Sequence, residues 1–437
     1  MPNLLRHSTR AGFYFFVLLM LISNAYARTL EDLLYQAMQS YPTILSRQAN
    51  KEAAQTDLTA AKLKFLPNPT FNTQRNQVHF DGPTGVNNLP ATGITVSQPI
   101  WMGGGLVAGY NKADARLSAA DYALLETRED ISKRLITAYT EWLRAWLKIQ
   151  ALEENLKVHE KLVGLIGRRY DQGVASGADK DLAYSRLHQA QADLDTQRSL
   201  EQTALTTISE LVGEPVSRQE LVGKLARDVT LPKRADGIAK AQAINPTVQR
   251  NKYEAEAAEH EAKEIRAQAL PQVSFQAQRQ IGNAYYPAAQ GFNAYGLVVN
   301  YAPGGGLSSI ATASAAMDRA RAATLQVEAS KRELTDRLNA EYNEYEFSLM
   351  KKENLQRSSN LAGDISASYD RQYMAGRKRW VDLMNAVRER AQNLVQLADS
   401  EGSLIGSSRR LLVYIDGTSP FDVVTNSGSS TVTARQK

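Results

Sequence analysis

The chain has 437 residues, with 51 Lys and Arg against 46 Asp and Glu, and a formal charge of +5 is too dilute to point to nucleic acid. It contains no cysteine, which excludes disulfides, iron–sulfur clusters, thiolate zinc sites and a cysteine nucleophile. With 43% hydrophobic and 22% charged residues it is neither a disordered chain nor a polytopic helical membrane protein.

Residues 1–27 read as a secretory signal peptide. Arg6 and Arg10 supply the positive region, Phe13 to Ile22 an apolar run, and Ala25-Tyr26-Ala27 the small-x-small cleavage pattern. The apolar run is about half of the roughly 20 residues that a membrane span needs. The mature chain then begins near Arg28, and no later stretch is apolar enough for a membrane helix. If it enters a membrane, it must do so as a β-barrel.

The chain repeats itself. Ala37, Pro42-Thr43, Glu52-Ala53-Ala54, Leu66-Pro67, Phe71 and Gln74 recur 204 positions later as Ala241, Pro246-Thr247, Glu256-Ala257-Ala258, Leu270-Pro271, Phe275 and Gln278. Gly103-Gly104-Gly105-Leu106 returns as Gly304-Gly305-Gly306-Leu307, and Tyr170, Gly173, Asp179 and Ala183 return as Tyr373, Gly376, Asp382 and Ala386. Loop insertions produce such small changes of offset, so this is a duplication. It divides the mature chain into a first repeat (28–212), a connector (213–235) and a second repeat (236–416).

In chain order, residues 30–64 are rich in Ala, Leu, Gln, Lys and Glu and predict one helix. Leu66-Pro67-Asn68-Pro69 ends it, because proline removes a donor and biases its predecessor to extended geometry. Two alternating stretches follow at about 70–78 and 92–100, around a Gly/Pro/Asn loop. The second copy offers strands at 272–279 and 292–301. About nine tilted residues is the length that crosses an outer membrane. Four strands cannot close a membrane barrel, and an open edge in lipid leaves backbone groups unpaired. A barrel must therefore be shared between chains.

After the triple glycine, residues 106–167 predict one helix, a rod of roughly 90 Å at ~1.5 Å per residue. Its apolar positions 135, 138, 139, 142, 143, 146, 149 and 152 keep the spacing of a packed face. A turn at Gly173–Gly177 leads into a helix at 178–211. The helices 30–64 and 178–211, end to end, match the long rod. The tail 417–437 is rich in Ser and Thr and predicts disorder.

The five histidines (7, 79, 159, 188 and 260) never fall at metal-ligand spacing, and neither a metal nor a cofactor is expected. Pro99 with Gly103, Gly104 and Gly105, and Pro303 with Gly304, Gly305 and Gly306, lie between strand and helix. No Gly-Lys-Ser/Thr follows either run, so they read as places where the backbone swings rather than as phosphate loops. No nucleophile–base pair is visible, and no enzyme is expected. The informative regions are two turns, Tyr170-Asp171-Gln172-Gly173 leading to Asp179, and Tyr373-Met374-Ala375-Gly376-Arg377-Lys378-Arg379-Trp380 leading to Asp382. Each aspartate reads as a helix first-turn residue favoured by the dipole, or, repeated by symmetry, as an acidic ring at a tube mouth.

With the duplication, Ser97-Gln98-Pro99-Ile100-Trp101 before Gly103-Gly104, and the two Tyr-x-x-Gly…Asp-Leu turns, the sequence resembles the TolC-like outer-membrane efflux protein family over essentially its whole mature length. The resemblance implies a mixed α+β, mainly α fold of long coiled-coil helices with β-hairpins. It implies a homotrimer, whose twelve strands form one outer-membrane β-barrel continued by a periplasmic α-helical barrel. It implies a passive conduit in outer-membrane lipid, opened at its periplasmic end by an adaptor and an inner-membrane transporter. By motif position Asp382 resembles the entrance-ring carboxylate, Asn385 stands where a second carboxylate can lie, and Asp179, Tyr373 and Lys378 resemble a gate latch. The absence of Cys argues against the lipid-anchored drug-efflux branch. The resemblance is closest to type I secretion members, including those exporting adhesins, which pair with an ABC transporter. The alternative is small-molecule efflux with a proton-driven pump. A structural coiled-coil envelope protein would account for the helices but not for the strands.

Overall fold

The computed structural model describes residues 27–79, 86–222, 229–282, 291–301 and 308–417. Residues 1–26 of the expected signal peptide, the tail after Gly417 and the expected second crossing at Pro303, Gly304, Gly305 and Gly306 lie outside the described residues. The elements in chain order are α1 (Leu30–Ser40), α2 (Pro42–Leu63), β1 (Asn68–His79), β2 (Val86–Trp101), α3 (Gly105–Asp171), α4 (Gly177–Val212), α5 (Arg218–Val222), α6 (Arg234–Ile244), α7 (Pro246–Ala267), β3 (Gln272–Ile281), β4 (Phe292–Asn300), α8 (Ser308–Met374) and α9 (Trp380–Asp416). Corresponding helices of the two copies match in length. α2 and α7 have 22 residues each, α3 and α8 have 67 each, and α4 and α9 have 36 and 37. No described helix is long and apolar enough to cross a membrane.

The single helix expected over 30–64 is two helices. Tyr41 is extended (φ −70°, ψ 123°) and separates α1 from α2. The cause is Pro42, whose ring keeps its predecessor out of the helical region while proline itself suits a helix start. The second copy breaks in the same way, with Asn245 (φ −55°, ψ 124°) before Pro246 accepting from the Val248 amide through its side chain. At the front of α1, Thr29 and Asp32 form a reciprocal cap, with bonds of 3.1 and 2.8 Å.

The strands form one antiparallel sheet in the order β1-β2-β3-β4, so the β2–β3 pairing joins the two copies. β2 starts at Val86, six residues before the expected 92, and its ladder to β1 continues to the pair His79↔Val86. Asn87 and Asn88 resemble loop residues in sequence, but the ladder uses only their backbone. Register sorts the side chains into two faces. Phe71↔Ile94, Val96↔Ala277, Phe275↔Leu297 and Ala277↔Tyr295 share one apolar face. Asn72, Thr95, Gln276 and Gln278 lie on the other. Toward the hairpin ends the apolar face gives way to Arg279, which is bonded to Asn293 at 2.9 Å. β1 and β4 each have a single neighbour.

The compact units do not follow the repeats. One comprises Met1–Tyr41, Asp130–Arg234 and Asn339–Lys437, the other Pro42–Glu129 and Ala235–Leu338. Alanine dominates the buried helix faces of the unit that carries the sheet, with Ala61, Ala108, Ala115, Ala257, Ala262 and Ala316 all buried. Small side chains let its helices approach closely, and interhelical ion pairs such as Lys112–Glu264, Arg116–Glu261 and Arg250–Glu126 flank them. The other unit has an aromatic and aliphatic centre on α3. Leu135, Tyr139, Trp142, Leu143 and Ile149 are at most 1% exposed, and Trp142 lies 5.3 Å from the Tyr139 ring. Gly402 and Gly406 of α9 pack onto Arg144 and Thr140 of α3, where a Cβ would collide.

Candidate functional site

At the strand-to-helix crossing, three adjacent constraints turn the chain. The β2–β3 register shifts between Pro99 and Trp101. The Gln98 side-chain amide donates to the Phe65 carbonyl at 2.9 Å, tying the strand to the end of α2. Gly103 and Gly104 then take φ of 62° and 83°, the left-handed region that glycine enters freely. A Cβ on Gly103 would also stand 2.8 Å from the Ala267 carbonyl oxygen. Gly105 opens α3, its amide bonded to the Met102 carbonyl at 2.9 Å.

The two helix turns share one backbone design. Gly173 (φ 70°) donates to the Tyr170 carbonyl at 2.9 Å and Val174 to the Arg169 carbonyl at 2.8 Å. Gly376 (φ 69°) donates to the Tyr373 carbonyl at 3.0 Å and Arg377 to the Gln372 carbonyl at 2.8 Å. The next helix is capped differently in each. Ser176 accepts from the Asp179 amide at 3.1 Å, and its hydroxyl donates to the Asp179 carboxylate at 2.8 Å. Arg379 occupies the equivalent position before α9 and gives no side-chain cap. Its guanidinium instead pairs with Asp382 at 3.3 Å.

The turn residues singled out from sequence therefore each have a definite place. Asp179 is held by Ser176, and within one chain neither Tyr373 nor Lys378 bonds to it. Lys378 lies over the Tyr369 ring at 4.2 Å. Tyr373 is buried between Trp380, at 5.2 Å between ring centroids, and the Arg169 guanidinium, at 4.6 Å. Asp382 carries its Arg379 partner, and the Asn385 side-chain oxygen accepts from Arg388 at 3.3 Å. Asp382 and Asn385 thus each have an arginine partner three residues away.

Sequence reasoning missed what holds the second turn. Tyr373 and Trp380 share a cluster with Leu162 and Ile166 of α3, Ala183 of α4, and Leu383, Met384 and Val387 of α9. The spacing of Trp380, Leu383, Met384 and Val387 was a readable signal. Arg169, which also reaches the Met374 carbonyl at 3.5 Å, gave none, because its partners lie about 200 residues away.

The chain thus combines a four-stranded sheet that has an apolar and a polar face with a glycine crossing at Gly103 and Gly104 into a long helix. The sequence profile described as "Outer membrane efflux protein" matches residues 33–214. Over 205 residues the chain is 25% identical to the Outer membrane protein TolC of Vibrio cholerae, a match covering 45% of each, so the chain spans about half the length of this curated relative. Among solved structures, the fold is similar to the outer membrane protein VceC of Vibrio cholerae (TM-score 0.74, 17% identity, covering 89% of this chain and 96% of that one). It is likewise similar to the outer-membrane channel OprN (TM-score 0.78, 18% identity, covering 89% and 90%). The likeness to outer membrane efflux proteins is thus one of sequence over residues 33–214 and one of fold over 89% of the chain.

Proposed function

We propose that the chain is one protomer of a homotrimeric channel-tunnel, a passive conduit for export across the outer membrane. The observation that carries this reading is the sheet. Among the described residues its two outer edges have no neighbour, and its two faces differ in polarity. In lipid every strand edge must be paired, so copies of the chain must supply the missing neighbours. Three copies give twelve strands, with the apolar face toward lipid and the Gln-rich face toward the bore. The exposure of Phe71 (68%), Leu297 (67%) and Val299 (65%) in the isolated chain supports that orientation.

In this reading the two helix turns form the periplasmic entrance, with Asp382 and Asn385 on its ring. The latch contacts of Tyr373 and Lys378 with Asp179 are then contacts between copies. A periplasmic adaptor and an inner-membrane transporter open the entrance. Protein secretion with an ABC transporter is our first reading of the cargo. Small-molecule efflux with a proton-driven pump is the second, and the family's description as efflux proteins favours it.

Because the chain has no cysteine of its own, introduced pairs report cleanly on the closure. Single cysteines on β1 combined with single cysteines on β4 should give a covalent trimer on oxidation. Monomers closed on themselves, or dimers alone, would contradict the shared barrel.

A further inference from the structure

We propose that the groove walled by α3, α4 and α9 is a binding site for an oxyanion, a phosphate or carboxylate group, gripped by Arg186 and Arg388. All of its walls belong to one compact unit, and its volume is about 630 Å³. The argument starts from the arginines. Several arginines of this unit are paired with carboxylates: Arg144 with Asp399, Arg198 with Glu153, Arg390 with Glu154, Arg410 with Glu341. Among the described residues Arg186 and Arg388 have no carboxylate partner, and both line the same groove. The hydrogen bond that Arg388 makes goes to the neutral amide oxygen of Asn385 at 3.3 Å.

The remaining lining fits a negative guest. The single carboxylate on the wall, Asp193, is turned to the Gln189 amide at 2.8 Å. Asn155, Gln392 and Gln396 add side-chain amide donors. His159 is 5% exposed, and its Nδ1 has no hydrogen-bond partner among the described residues. Burial, and then the positive charge of Arg186, push the His159 imidazole below its ordinary value. Arg186 thus adds a positive charge beside the imidazole, which a negative guest would offset. Guanidinium groups hold oxyanions through paired, charge-assisted hydrogen bonds, which gives such a site both strength and shape.

The test uses the full chain purified in detergent and inorganic phosphate as probe, titrated at constant ionic strength against chloride. Calorimetry should show one saturable site per chain. Arg186→Gln with Arg388→Gln should weaken it at least tenfold, whereas Arg168→Gln, an exposed arginine outside the groove, should leave it unchanged. In the unsubstituted protein, the imidazole resonance of His159 should titrate at higher pH with phosphate than with chloride, a readout that needs no groove variant to fold. Absence of saturable binding, equal weakening by Arg168→Gln, or an unmoved His159 titration would each overturn the proposal. Absence of binding is also what a groove already filled by a carboxylate from a second copy would give, and it counts against a free anion site. None of these readouts depends on conduction, so failure here leaves the channel reading intact, and the reverse holds.

Discussion

Gly103 and Gly104 adopt similar backbone angles but differ in what surrounds them. Both sit in the left-handed region, where a Cβ costs about 1–2 kcal/mol. Only at Gly103 would that Cβ also strike a backbone carbonyl, while at Gly104 it would meet open space. Gly103→Ala should therefore destabilise the protein by more than the backbone cost, and Gly104→Ala by about 1–2 kcal/mol alone. Thermal unfolding of the two variants checks the order, and equal losses would show that the close approach to Ala267 is relaxed without penalty.

Asp399 offers a second test. Burial alone would raise its carboxyl, but hydrogen bonds from Lys148 and Arg144 outweigh burial and hold it below its usual range. A depressed folded value means that the contribution is complete above the unfolded value of about 3.9 and is lost as pH falls through the folded value. Asp399→Asn should cost about 1–3 kcal/mol at neutral pH and much less under acid conditions. Unfolding measured on both sides of that range decides the point. A loss that does not change with pH would assign the effect to packing.

The turns show how elements divide the work. The first is fixed by a polar cap, Ser176 with Asp179, and leaves Tyr170 43% exposed. The second has no side-chain cap and depends on Trp380, which is 4% exposed beneath Tyr373. Truncation of a buried tryptophan costs about 3–5 kcal/mol. With Trp380→Ala, that loss should appear first as local opening, seen as faster tryptic cleavage after Arg377, Lys378 and Arg379. Cleavage that speeds up equally along the chain would mean that the turn is not a separate cooperative piece.

Much at this scale was legible in sequence. The alternating strands, the long helices and the duplication carry strong periodic signals, and the Pro67/Pro69 stop is unambiguous. The break at Tyr41 was written in Pro42 but reads as continuous helix when composition is weighed above the residue before proline. The start of β2 was not visible, because ladder bonds do not depend on which side chains occupy Asn87 and Asn88. The Arg169–Tyr373 and Arg379–Asp382 pairings lie beyond pattern reading, since they are set by how helices dock and where one guanidinium turns.

For the whole molecule, the duplication and the open edges belong together. One repeat contributes a hairpin, and two repeats joined through β2 and β3 make four strands; in the proposed channel, further copies close them. The two compact units cut across the repeats, because each long helix passes from one unit into the other. The central claim is that copies of this chain enclose a conducting pore. Single-channel recording across a planar bilayer tests it most directly, using the purified trimer and a variant carrying Asp179→Ala with Tyr373→Ala. Discrete conductance steps are expected, larger in the variant, where the contacts proposed to close the entrance are gone. Trimers that insert and yet pass no current, in either form, would contradict the account.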